Sequence, residues 1–110
     1  MQLGGNMSQH KPAYLVASIE LPQGHASLAD YAQAAMPIFK AHGAEVLVAG
    51  TSDQSVEVLE GNWLGSDAKL SLVKFPSMQH LKTCLNSDEY LTIKHLRTDI
   101  VDSNFSVAID

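Results

Sequence analysis

Ala13-Tyr14-Leu15-Val16-Ala17-Ser18-Ile19-Glu20 reads as a strand that is apolar on both alternating faces, and this most narrows what the chain can become. Leu15, Ala17 and Ile19 point one way, and Tyr14 and Val16 the other. Glu45 to Gly50 repeats the pattern, with Leu47 opposing Val46 and Val48. A strand of this kind needs cover on both sides. The remaining chain supplies two helical regions, in the order β-α-β-(β)-β-α-β. This order predicts an α+β fold, a ferredoxin-like split β-α-β sandwich with an antiparallel sheet. Two helices cover one face of such a sheet. The other would stay bare, an apolar patch too large for a soluble monomer. A second copy, sheet face on sheet face, is the simplest cover, so the expected partner is the chain itself as a homodimer.

Pro22 and Gly24 end the first strand. Ser27 is the expected N-cap of the first helix, with Asp30 favouring its positive end. Leu28, Tyr31, Ala35, Ile38, Phe39 and His42 then fall at helical spacing. Pro37 lies inside this pattern and should kink the helix or split it. Gly43 is the expected stop. After the strand Glu45–Gly50, residues 51–54 turn the chain. Ser55 to Gly61 either runs back as a hairpin or continues as one long bent strand, and the sequence leaves both open. Asn62 to Lys69 is a loop carrying Trp63, and Leu70 to Phe75 is a core strand. Ser77 caps the second helical region, where Leu81, Cys84 and Leu85 face inward. Ser87 recaps it, with Asp88 and Glu89 in the new first turn. Tyr90, Ile93, Leu96, Arg97 and Ile100 follow at helical spacing. In a last strand, Asn104 to Ile109, Phe105, Val107 and Ile109 share a face. Residues 1–12 are polar and without periodicity, a disordered leader before a single domain over 13–110.

A chain of 110 residues makes one domain. Twelve acidic residues against 7 basic ones give a net charge of −5, which argues against nucleic acid as a partner. The single cysteine, Cys84, forms no internal disulfide. No apolar run approaches the ~18 residues of a spanning helix, and the N-terminus lacks the pattern of a secretory signal. A cytoplasmic protein with no membrane contact is the expectation. The five histidines form no H-x-H or HExxH spacing, so no metal site is expected, and no cofactor motif is present.

Arg97 is the most informative polar residue. It follows Tyr90 by seven positions, with Ile93 and Ile100 on the same side, which sets a guanidinium at the edge of an apolar face. A buried arginine needs a carboxylate or an anionic ligand. Glu60, beside Gly61, is the natural internal partner, and the bland reading is a structural Arg97–Glu60 ion pair. In the functional reading Arg97 holds a carboxylate or enolate of a small molecule, and Glu60 acts as a base. His42, at a helix C-terminus, is either a dipole partner or an acid/base group. Trp63 either walls a pocket or packs in the core or a dimer interface. Tyr31 and Tyr90 pack first and line a pocket second. The candidate pocket is therefore Tyr31, His42, Glu60, Trp63, Tyr90 and Arg97, for a small anionic or aromatic molecule. The alternative is a non-catalytic dimeric module.

Leu59-Glu60-Gly61-Asn62-Trp63, Lys74-Phe75-Pro76-Ser77, His42-Gly43, Pro37, Ser87-Asp88-Glu89-Tyr90 and Leu96-Arg97 occur in an order that resembles the DUF1330 family. The resemblance runs from about Tyr14 to Ile109. It implies a dimeric α+β barrel, a group in which related barrels host cofactor-free isomerase or monooxygenase chemistry, but no defined activity. The chain departs from the family pattern at Ala49, where many members carry arginine, and in a longer turn around Asp53.

Overall fold

Antiparallel pairing on both sides of one central strand sets the architecture. The structure is a computed structural model and describes residues 11–20, 28–51, 53–65, 67–101 and 103–110. Strands β1 (Ala13–Glu20), β2 (Glu45–Val48), β3 (Ala68–Phe75) and β4 (Ser103–Ile109) form a sheet of order β2-β3-β1-β4. β1 pairs antiparallel with β3 and with β4, and β3 pairs antiparallel with β2. Helices α1 (Ala29–Ala41), α2 (Met78–Leu85), α3 (Asp88–Ile93) and α4 (His95–Thr98) complete the chain. This is the expected ferredoxin-like α+β arrangement, and β1 occupies the predicted residues. No helix among the described residues is long and apolar enough to cross a membrane.

The register sets Leu15 opposite Val73 and Ala17 opposite Ser71 on one face. Ala13 and Phe75, also on that face, are fully buried in a core with Phe39, Val73, Leu81, Cys84 and Tyr90. Phe39 meets the Phe75 ring edge-on and the Tyr90 ring stacked, both at 5.9 Å between centroids. Such pairs add to the burial of their area.

The second helical region begins and resumes as its serines predict. Ser77 Oγ accepts from the His80 backbone N–H, and Ser87 Oγ accepts from that of Tyr90, each at 3.2 Å. The periodic run beyond Ser87 breaks at Lys94 into α3 and α4. At the start of α1, Leu28 holds the N-cap position without a side-chain bond. Ser27, Pro22 and Gly24 lie outside the described residues, as do Met1 to His10 of the expected leader. Lys11 approaches the Asp110 carboxylate at 3.7 Å. α1 runs unbroken through Pro37, so the proline does not split it. It ends as expected at Gly43, whose φ of +80° a side chain would resist. There the Gly43 N–H donates to Lys40 O and the Ala44 N–H to Phe39 O, closing the last turn.

One expectation fails in the middle of the chain. β2 stops at Val48, short of Gly50, and neither a hairpin strand nor a long bent strand occupies 55–61. The cause lies at Gln54. Its Oε1 accepts from the Leu70 N–H at 2.8 Å and its Nε2 donates to Leu70 O at 2.9 Å. The Gly50 N–H donates to Ser71 Oγ at 3.0 Å. A side-chain amide thus takes the groups that a strand pairing beside β3 would need. Residues 55–62 are all exposed, an arm held at one end by Gln54 and at the other by Trp63. Trp63 Nε1 donates to Ala68 O at 3.2 Å.

Candidate functional site

The helix-covered side of the sheet is incompletely filled. A cavity of about 630 Å³ opens between the sheet, α1 and the α3–α4 corner. Its sheet wall is built by Leu15, Ala17 and Ile19 of β1, by Val46 and Val48 of β2 and by Val73 of β3. Small residues on the sheet and on α1, among them Ala17, Ala32 and Ala35, leave the room. Ala49, the position where the family resemblance departs, is also a wall.

Two tyrosine hydroxyls and a guanidinium meet at one corner, apart from the hydroxyls of Thr51, Ser71 and Ser106 elsewhere on the wall. Tyr31 on α1 and Tyr90 on α3 meet through their hydroxyls at 2.8 Å, with the rings edge-on at 6.3 Å. Arg97 on α4 sits over the Tyr31 ring, its guanidinium carbon 5.6 Å from the centroid. A cation over an aromatic face is worth roughly 0.5–2 kcal/mol. Burial, reinforced by the hydrogen bond to Tyr90, pushes the Tyr31 phenol far above its usual range, so it stays protonated at neutral pH. Burial opposes the Arg97 charge, but its hydrogen bonds and charge interactions with Tyr90 and Tyr31 outweigh that and raise its pKa. The corner therefore offers a fixed positive charge and two tyrosine hydroxyls that share one hydrogen bond between them.

Of the six candidate residues, the structure brings Tyr31, Tyr90 and Arg97 together on the cavity wall. It places the other three elsewhere. His42 is the C-cap of α1, half-buried, its backbone N–H donating to Phe39 O. Glu60 is exposed on the arm, and no ion pair joins it to Arg97 among the described residues. The expected Arg97–Glu60 pair does not form; Arg97 lies over Tyr31 of α1 and hydrogen-bonds with Tyr90 of α3. Trp63 closes the loop onto Ala68 and does not line the cavity. No group of three or more His, Cys, Asp and Glu among the described residues could hold a metal. Cys84 is fully buried, and burial, with Glu89 nearby, pushes its thiol up to about 11, as suits a core residue.

Sequence reasoning missed Lys94 and Asn86, which both line the cavity. Lys94 had a legible signal, since it precedes Arg97 by three positions and so lies one turn away. Asn86 had none, because it belongs to the break between α2 and α3.

The fold is shared with solved proteins. The RPA0582 protein of unknown function from Rhodopseudomonas palustris is 18% identical, with a TM-score of 0.67, over 89% of this chain and 80% of that one. Its methylated form gives a TM-score of 0.69 at 18% identity, over 92% and 81%. SnoaB, a cofactor-independent oxygenase from Streptomyces nogalater, is 8% identical with a TM-score of 0.54, over 90% and 91%. Among curated proteins no sequence matches. The model of a domain of unknown function, DUF1330, matches residues 12–109, nearly the whole chain, and the protein belongs to that family.

Proposed function

We propose that this protein binds a small, largely apolar molecule, anionic or aromatic, in the cavity between sheet and helices, and that it does so as a homodimer joined through the open sheet face. One observation carries the binding reading. An apolar cavity of about 630 Å³, within the range of small-molecule sites, has the cations and tyrosine hydroxyls of its described lining at one corner, at Tyr31, Tyr90, Lys94 and Arg97. Side chains that only fill a core leave no such space. SnoaB, of the same fold, is described as a cofactor-independent oxygenase, and a cavity that holds an enolate beside a cation would suit chemistry of that kind.

The dimer reading rests on the sheet's other face. Tyr14, Val16, Leu70, Leu72 and Phe105 there are only half-buried, and Val107 and Ile109 are 46% and 52% exposed. The arm adds Val56, Val58 and Leu59, the last 85% exposed. A second copy would remove both surfaces from water at about 25 cal/mol per Å² of apolar area.

A specific observation favours the non-catalytic alternative. The tyrosine pair and Arg97 already bond to one another, so they can serve as a lock between α1 and the α3–α4 corner. A thermal-shift panel of small carboxylates and aromatic acids separates the two. Binding predicts hits that stabilise the wild type and lose their effect in Arg97→Ala. Equal shifts in both proteins would remove Arg97 from any site. No shift from any compound would support the lock.

A further inference from the structure

The described lining of the cavity and the chain as a whole differ in the sign of their ionisable groups. Acidic residues outnumber basic ones, 12 to 7. Yet the described residues that line the cavity include two cations, Lys94 and Arg97, and no carboxylate. Both cations stand on the same corner, one turn apart, with Lys94 at the N-cap position of α4. Asp30 and Asp99 line a separate cleft of about 320 Å³ that shares Tyr31 as a wall. Among the described residues the Lys94 ammonium forms no ion pair, and its side chain is exposed, whereas Arg97 is held over Tyr31. The two cations differ accordingly. Arg97 is fixed and partly used by the tyrosines. Lys94 is an exposed ammonium on a flexible four-carbon stem that can turn onto a ligand.

We propose that the cavity selects an amphipathic monoanion: an apolar ring body seated against Phe39, Met36 and Val73, and one acidic oxygen group turned to Lys94 and Arg97, with Lys94 as the residue that sets the charge preference. The proposal deepens the binding reading above and rests on it. A volume near 630 Å³ accommodates a body of two or three fused rings. A neutral ligand of the same shape would gain the apolar contact alone. A cation would meet like charge at Lys94 and Arg97.

The test uses four probes with one ring system: 2-naphthoate, naphthalene-2-sulfonate, 2-naphthalenemethanol and 2-naphthylmethylamine. Binding to the intact protein is measured by calorimetry at neutral pH and at two salt concentrations. The proposal expects the two anions to bind about tenfold more tightly than the alcohol, as one charge-assisted contact provides, and the amine to bind worst. Lys94→Gln should lower the affinity for the anions about three- to tenfold and leave the alcohol unchanged, while Lys94→Arg keeps the preference. Lys94 is exposed, so neither variant threatens folding. Naphthoate binding without sulfonate would narrow the acidic group to a carboxylate. Equal affinity for anions and alcohol, or an unchanged preference in Lys94→Gln, would overturn this proposal and leave the binding reading standing. Failure of all four probes to bind would overturn both.

Discussion

The two faces of one sheet have opposite fates here. On the helix side Ala13 and Phe75 are fully buried, aromatic rings meet at 5.9 Å, and an apolar cavity leaves slack beside them. On the other side residues of the same strands, at alternate positions, stay half-buried or exposed, up to 52% at Ile109. Hydrophobicity alone does not separate the faces, since Val16 and Leu72 are as apolar as Leu15 and Val73. What separates them is the amount of chain left to cover each. The helices serve one face. The loop that carries Trp63 reaches only one end of the other, where Ser18 and Ala68 are buried. An apolar strand pattern therefore states a demand for cover and leaves its source open, whether the same chain or another copy.

Substitutions at matched positions put that contrast to the test. Phe75→Ala, on the covered face, should lose about 3–5 kcal/mol of stability in urea unfolding, because the cavity it leaves lies in a packed core. A loss under about 1 kcal/mol would mean that the two faces do not differ. Val107→Asp, on the open face, should leave each chain folded but weaken the dimer by about 3 kcal/mol, roughly a hundredfold in dissociation constant. Circular dichroism should stay native while sedimentation shifts to single chains, and a dimer of unchanged strength would exclude that face. Leu59→Asp, on the arm, should weaken association less, by about 1 kcal/mol, if the arm lies at the rim of the same interface.

Cys84 reports on the covered face through pH. Burial pushes its thiol up to about 11 in the folded chain, against an ordinary 9.0. The neutral form is favoured on folding, so the stabilisation is complete below pH 9 and is lost as pH rises from 9 to 11, at most about 3 kcal/mol in all. Cys84→Ala should lack that fall and keep only the later one from the Tyr31 phenol, above pH 10. Identical alkaline profiles would show that Cys84 is not buried. The smallest effect compares two glycines of equal φ, +80°. A Cβ at Gly43 would meet Pro76 Cγ at 2.8 Å, whereas one at Gly61 finds nothing within 4 Å. Gly61→Ala should cost about 1 kcal/mol for backbone strain alone, and Gly43→Ala about 1 kcal/mol more, read as a difference in urea midpoint.

The elements were largely legible, since apolar runs bounded by turn residues wrote β1 and β3, alternation wrote β4, and Ser77, Ser87 and Gly43 punctuated the helices. The arm was misread because Val56, Val58 and Leu59 carry a strand pattern, while Gln54 blocks the pairing through a side chain 16 residues from its partner Leu70. The site was half legible. Tyr90 and Arg97 share an apolar stripe, so their meeting could be anticipated, and Tyr31 joined them from the matching stripe of α1. Glu60, by contrast, was assigned to Arg97 by charge alone. Charge says that a partner is needed, but tertiary packing decides what lies within reach, and here it sets Arg97 against a tyrosine pair and leaves Glu60 on the arm.

Sedimentation equilibrium of the wild-type chain at micromolar concentration bears most directly on the claim that a second copy covers the open face. The account predicts a particle of twice the mass of one chain, stable to dilution into the low micromolar range. A monodisperse particle of single-chain mass would contradict it.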